Sequence, residues 1–242
     1  MSLEMIIFDL DGTLWDTEDM TYENMNKYVK KHKNLKKIGR DVICQTMGST
    51  FEETAECCMP YLDKEERERI LGEMLLFNSE VLSKKGGKLY PNLKEILKKL
   101  KNKYKVAIVS NCADGYIESF LESSKLGKYF DDFAAAAKMK VTKTEAIQQV
   151  MKRNKVRKAI YIGDTVKDFE ASKGAGIEFI QAKYGFGDDL GTKYSVNCFK
   201  EIPNIINVID GKNKIDNTIR ISFKSYIFMM VLIFLLIILM IF

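Results

Sequence analysis

The sequence predicts an α/β fold: a core of parallel strands, interrupted straight after its first strand by an all-helical insertion, with an apolar helix at the C-terminus. Three observations carry that expectation. Short apolar runs at 5–8, 106–109, 159–162 and, broken by Gln181, 179–182 read as continuous rather than alternating, as in parallel strands covered on both faces. The first three of them run directly into small polar residues, where a strand gives way to a loop. Between the first run and the second, residues 17–83 carry apolar positions at helical spacing and contain no convincing strand.

A chain of 242 residues with 46% hydrophobic content suffices for one full core and a smaller satellite domain. The expected division is a core of residues 1–17 and 86–210, a helical cap over 18–85, a linker at 211–224 and an apolar segment at 225–242.

In chain order, the first strand, 5–8, delivers Asp9-Leu10-Asp11-Gly12-Thr13 at its carboxyl end, and Gly12 permits a sharp exit. Ligands of open parallel sheets bind at that end. Asp9 and Asp11 repel each other unless a hard cation such as magnesium neutralises them or one of them keeps a proton. Asp-x-Asp-Gly also suits an ordinary surface turn, where Asp and Gly satisfy the backbone.

Helices follow at 22–33, 51–59 and 64–81, with Asp63 placed to cap the last of them. Seated over the strand ends, such a segment would act as a lid that excludes water during the chemistry. The loop Met47-Gly48-Ser49-Thr50 reads either as a substrate-facing loop or as a plain turn. Gly86-Gly87 marks a hinge, and a helix at 93–101 leads to the strand 106–109, which ends in Ser110-Asn111. A hydroxyl and an amide at a strand tip suit a phosphoryl oxygen, and they are also common loop residues.

A helix at 116–126 and a short strand at 133–137 precede Lys143, which introduces a helix at 145–153. An anionic nucleophile approaching an anionic phosphoryl group requires a cation nearby, and Lys143, Lys138 and Lys140 all qualify. The strand 159–162 then runs into Gly163-Asp164, and Asp168 follows one turn into the next helix. Asp164 can bind a metal directly, while Asp168 can orient that shell through water or a hydrogen bond. The last strands are expected at 179–182 and 194–198, joined by Tyr184-Gly185-Phe186-Gly187, whose glycines match neither common nucleotide-binding pattern.

Composition excludes several classes. The five cysteines show no paired spacing, so reduced thiols in a cytoplasmic setting are expected, with Cys57 and Cys58 as small core residues. His32, the sole histidine, lies in a lysine run and reads as a solvated surface residue, which argues against a zinc site and a Ser-His-Asp machine. The net charge of +5 concentrates in Lys27, Lys30, Lys31, Lys33, Lys36, Lys37 and Arg40, a pattern expected of a solvated helix face. No aromatic interleaving or nucleic-acid motif accompanies it, so no nucleic-acid partner is expected. No secretory signal precedes the first strand. Residues 226–242 carry no charge, glycine or proline, and Arg220 and Lys224 flank their upstream side. That run sits at the short end of the ~17–25 residues that span a bilayer and reads as a membrane anchor for a cytoplasmic domain. A buried partner-binding helix and a functionless extension are the rival readings.

The ordered set of Asp9-Leu10-Asp11-Gly12-Thr13, a helical insertion, Ser110-Asn111, Lys143 before a helix, and Gly163-Asp164-Thr165 with Asp168 resembles the haloacid dehalogenase superfamily of hydrolases. Within it the chain resembles the phosphoglycolate-phosphatase-like branch with a helical cap, over residues 5–210. The resemblance implies a Rossmann-like parallel sheet flanked by helices. It also implies a magnesium-dependent phosphatase acting on a small phosphorylated metabolite, phosphoglycolate by default. Asp9 would be the nucleophile and Asp11 the acid and base; Ser110, Asn111 and Lys143 would hold phosphate. The magnesium ligands would be Asp9, Asp164 and the backbone carbonyl of Asp11, with Asp168 behind them.

Related activities separate by residue. Dehalogenases lack the second acid, which here is Asp11. Sugar-phosphate mutases usually carry a His or Lys just after the first motif, and Trp15-Asp16-Thr17-Glu18-Asp19 has neither, so hydrolysis leads. Phosphonate hydrolysis would need a cap lysine, for which Lys27 and Lys30 are available. A membrane-tethered module that merely binds phosphate is the reading from outside enzymology.

Overall fold

Chain order in the computed structural model is β1 (Met5–Phe8), β2 (Trp15–Asp16), α1 (Glu18–Val29), α2 (Arg40–Thr46), α3 (Phe51–Cys58), α4 (Lys64–Lys85) and β3 (Lys88–Leu89). It continues through α5 (Leu93–Lys101), β4 (Lys105–Ser110), α6 (Tyr116–Ser124), β5 (Asp132–Ala135), α7 (Ala136–Met139) and α8 (Lys143–Arg153). The last elements are β6 (Ala159–Gly163), α9 (Val166–Gly174), β7 (Glu178–Ala182) and β8 (Ser195–Val196). The structure describes residues 2–211. Most of the linker expected at 211–224 and the apolar segment expected at 225–242 lie outside the described residues. Among the described residues no helix is long and apolar enough to cross a membrane. Leu3–Pro203 form one compact unit; of the second unit, made of the two chain ends, residues 204–211 are helical.

Among the described residues, six strands pair in the order β5-β4-β1-β6-β7-β8, every neighbour parallel. The chain moves outward from β1 through β4 to β5, then returns to β6 on the other side of β1. Strand order therefore reverses beside β1, the point at which parallel sheets open a crevice at their carboxyl ends. β1 is wholly buried and β6 likewise, as their unbroken apolar sequences require. Met5, Ile7, Ala107, Val109 and Tyr161 pack with Ala146, Ile147 and Val150 of α8 on one face.

The insertion holds a core of its own, in which Met25, Val29, Ile43, Ala55, Ile70, Leu71 and Met74 pack together. Its helices start where local chemistry favours them. Thr50 and Glu53 form a reciprocal capping box on α3, and the Asp63 carboxylate accepts the backbone N–H of Glu66 at 2.9 Å on α4. Gly86 ends α4 at φ 72°, a left-handed value that a side chain would resist. Antiparallel β2 and β3 form a two-residue ribbon where the chain enters and leaves the insertion.

Several sequence expectations shift. The helix expected at 22–33 is α1, a turn earlier, because Glu18 and Asp19 favour its amino end. The basic residues from Lys30 to Lys37 therefore lie mostly in the loop after it rather than along a helix face, and α2 was not foreseen. The segment 133–137 divides between β5 and α7. Cys58 is buried but Cys57 is exposed, since neighbouring helix positions point about 100° apart.

Candidate active site

Three strand tips meet at the crevice. Asp9 follows β1, with its backbone N–H bonded to the Ile162 carbonyl at 2.8 Å, so the ladder of β1 and β6 fixes where its side chain emerges. Ser110 closes β4 and is buried. Asp164 follows β6 and is wholly buried. Oxygens of Asp9, Asp164 and Asp168 lie within 4.8 Å of one another.

Lys143, at the start of α8, reaches into this group: its Nζ donates to Asp9 Oδ1 at 2.9 Å and Asp168 Oδ1 at 2.6 Å. It is 6% exposed, so the ion pairs are desolvated. Burial alone would lower the ammonium pKa, but the charges of Asp168 and Asp9 outweigh it and hold the lysine protonated. The Thr142–Glu145 capping box sets the first turn of α8 and with it the stem of Lys143. Of the other lysines considered, Lys138 pairs with Asp114 at the surface and Lys140 is exposed.

Asp168 is saturated by protein. Its Oδ2 accepts the Thr165 backbone N–H at 2.9 Å and the Thr165 hydroxyl at 2.7 Å, while Oδ1 takes Lys143. Burial pushes this carboxyl up, yet Lys143 and the Thr165 donors prevail and hold it below the usual range. Asp164 differs. Its Oδ2 accepts the Phe186 N–H at 2.7 Å, and the Thr13 hydroxyl stands 3.4 Å from Oδ1. Burial, then the charges of Asp168 and Asp9, push its carboxyl well above the ordinary carboxylate range. Asp9 is pushed up as well, chiefly by burial, with Lys143 opposing.

Asp9 and Asp164 thus form a pair of crowded oxygen donors, a set suited to a hard divalent cation. The backbone is cut to fit Asp164. A Cβ on Gly12 (φ +73°) would lie 2.2 Å from its Oδ2, and one on Gly185 would lie 2.3 Å from its Cβ. The turn 184–187, to which the sequence assigned no nucleotide, thereby packs against Asp164, and its alternating glycines were the available signal.

Asp11 faces a different set of groups. Its Oδ1 accepts Trp15 Nε1 at 2.9 Å, the Thr17 hydroxyl at 2.8 Å and the Tyr116 hydroxyl at 2.8 Å. None of these three donors was singled out from sequence. Burial raises the Asp11 carboxyl, and the bonds from Thr17, Tyr116 and Trp15 oppose the rise. Asp11, Ser110 and Asn111 line a cavity of about 110 Å³ whose opposite wall comes from α1, α4 and the loop Met47-Gly48-Ser49. Asn111 donates to the Gly48 carbonyl at 3.3 Å, so that loop faces the strand tips.

Residues 6–182 match the family described as haloacid dehalogenase-like hydrolase. A phosphoglycolate phosphatase of Aquifex aeolicus is 28% identical over 189 residues, covering 76% of this chain and 86% of that protein. A phosphorylated carbohydrates phosphatase of Thermotoga maritima is 27% identical over 195 residues, covering 74% and 84% respectively. The crystal structure of a β-phosphoglucomutase from Clostridium difficile shares the fold, with a TM-score of 0.68 at 20% identity over 86% of this chain and 98% of that one. The family match opens inside β1 and closes with β7, so every carboxylate described above falls within it, and the chain belongs to the haloacid dehalogenase-like hydrolases.

Proposed function

We propose that this protein is a magnesium-dependent phosphatase that hydrolyses a small phosphate monoester through an aspartyl-phosphate on Asp9. One observation carries the reading: a buried carboxylate at the tip of β1 touches Lys143 at 2.9 Å, while a second acid two residues later faces the cavity. Relatives named as phosphatases of phosphoglycolate and of phosphorylated carbohydrates support a small phosphorylated substrate.

An Asp9 oxygen attacks phosphorus, and the bond from phosphorus to the leaving oxygen breaks in line with it. Asp11, whose carboxyl burial pushes above its ordinary value, gives a proton to the departing alkoxide. As a carboxylate it then takes a proton from the water that attacks the aspartyl-phosphate, which frees Asp9 and releases phosphate. Ser110, Asn111 and Lys143 hold the remaining phosphoryl oxygens. Asp9, Asp164 and the Asp11 carbonyl would hold the magnesium, which when bound shields nucleophile from phosphate and offsets developing charge. Asp168 keeps Lys143 in place, bonded at 2.6 Å.

The helical insertion serves as the cap of this site and residues 1–17 and 86–210 as its catalytic core. Lys167 of α9 pairs with Glu53 of α3, which holds the cap against the core. Hydrolysis is favoured over phosphonate cleavage, because Lys27 is exposed and paired with Glu23 and Lys30 is exposed. The membrane-anchor reading of residues 225–242, with a cytoplasmic catalytic domain, rests on the uncharged run in the sequence, and fractionation of full-length and truncated chains tests it.

Acid-quenched reaction with an aryl phosphate and magnesium tests the mechanism: the wild type acquires the mass of one phosphoryl group on Asp9. Asp9→Asn acquires none and loses turnover with the fold kept. Near-native turnover by that variant excludes the covalent route.

A further inference from the structure

Resting on the phosphatase reading, the cavity beside Asp11 says what the leaving group is made of. With phosphate held by the strand tips, the ester oxygen faces Asp11 and the rest of the substrate enters the space between core and cap. Apolar Met25, Phe51 and Leu75 line that space, together with neutral polar Thr21, Asn78 and Ser79. Its polar wall is ordered: Asn24 donates to Asn78 Oδ1 at 2.9 Å, and Asn78 donates to the Thr21 hydroxyl oxygen at 3.3 Å. The acceptor side of Thr21 is thereby engaged, and its O–H is left to serve a partner in the cavity.

Among the described residues no lysine, arginine or histidine lines this cavity, and the one carboxyl group that does is that of Asp11. The lysines nearby belong to the outer cleft. There Lys138 is paired with Asp114, Lys167 with Glu53, and Lys143 with Asp9 and Asp168, while Lys140 is exposed on that outer cleft and does not line the inner cavity. A carboxylate pushed into the inner cavity would lose water against apolar Met25, Phe51 and Leu75, with no cation among the described lining residues to offset the loss. A hydroxyl would meet neutral donors and acceptors at no such cost.

We infer that the leaving group is an uncharged, hydroxyl-bearing alcohol, so that the substrate is a small polyol or sugar phosphate and not 2-phosphoglycolate.

The test compares kcat/KM, on one full-length preparation with magnesium, for 2-hydroxyethyl phosphate, glycerol 1-phosphate and 2-phosphoglycolate, with an aryl phosphate alongside. The ratio of two esters does not depend on how much of the sample is folded. The hydroxyl esters should lead 2-phosphoglycolate by about 10-fold or more. Leu75→Lys, which places a cation on the cavity wall, should move that ratio toward 2-phosphoglycolate by a similar factor. Activity on the aryl phosphate with 2-phosphoglycolate equal to or ahead of the hydroxyl esters overturns this inference and leaves the phosphatase standing. An unchanged ratio in Leu75→Lys also overturns it. Failure on every ester, with no phosphoryl group on Asp9, overturns the phosphatase reading and the inference together.

Discussion

Tyr116, in the first turn of α6, donates its hydroxyl to Oδ1 of Asp11 at 2.8 Å across 105 positions of sequence. Trp15 and Thr17 donate to the same oxygen, so the acid is held from both sides of the insertion's entry point. With Oδ1 engaged as an acceptor, the proposed mechanism places the proton for the leaving group on Oδ2. Tyr116→Phe removes one donor that lowers the Asp11 pKa, so the carboxyl should titrate higher. The alkaline limb of kcat, where Asp11 loses its proton, should then move to higher pH. The rate on an alkyl phosphate should fall about 5- to 10-fold, the worth of one hydrogen bond. A pH profile superposable on the wild type would remove Tyr116 from any positioning role.

Lys143→Met should be the most destabilising single change in the site. The ammonium bridges Asp9 and Asp168 in a setting where its side chain is 5% exposed. Removing one partner of a buried ion pair costs about 3–5 kcal/mol, because the orphaned carboxylates stay desolvated. Burial already pushes Asp9 up, so without Lys143 it should take a proton more readily still. The deficit in Tm should therefore shrink as pH is lowered from about 9 toward about 7, the wild-type value of Asp9, because protonation relieves the repulsion first in the variant. Equal deficits at both ends of that range would show that lost packing, not charge, explains the effect.

What the sequence showed and what it hid divide along a physical line. Asp9, Ser110 and Asp164 were legible because a continuous apolar strand ending in a polar residue is a local signal, and the sheet brings such ends together. Lys143 was ambiguous beside Lys138 and Lys140, because only burial distinguishes a bridging lysine from a solvated one. Tyr116 was invisible because its partner is distant in the chain, and nothing in Tyr116-Ile117-Glu118 marks the hydroxyl as engaged. The role of Gly185 and Gly187 required knowing that Asp164 packs against the turn. Helix ends moved by a turn where acidic residues, rather than apolar spacing, set the start, as at Glu18.

Asp168 should set the acid limit of stability. Its carboxyl is depressed in the fold, so the unfolded chain binds its proton first as pH falls. The stabilisation it contributes is complete above the unfolded value of about 4 and is lost as pH drops through the lower folded value. Asp168→Asn should therefore be less stable than the wild type near neutrality and should converge with it in acid. Urea midpoints measured across that range check the sign, and a constant gap would contradict it.

Gly185→Ala should disable the site from the turn side. The added methyl would meet Asp164 Oδ2 at 2.5 Å and the Gly12 carbonyl oxygen at 2.5 Å, and the latter is backbone that cannot swing away. The overpacking costs about 1–3 kcal/mol, and the displaced carboxylate should weaken the response to magnesium. Titrating activity with magnesium should show a raised requirement in the variant. An unchanged requirement would mean that Asp164 does not hold the ion.

Magnesium should raise Tm in the wild type and not in Asp164→Asn. An ion bound only by the folded state adds stability as RT ln(1 + [L]/Kd), about 2.7 kcal/mol at a hundredfold excess over Kd. Without the ion, Asp164 is a liability, since burial and the charges of Asp168 and Asp9 push its carboxyl well above its usual range. For an acid raised in this way, the folded state holds the proton more tightly, and stability falls as pH climbs from the unfolded value of about 4 toward the folded one. Asp164→Asn removes that penalty, so the variant without metal should be at least as stable as the wild type near neutrality while being inactive. The magnesium-induced rise in the wild type should also grow with pH over the same range, because the ion competes with the proton for the same oxygens. A variant that is destabilised without metal, or that keeps the magnesium shift, would make Asp164 a structural residue rather than a ligand.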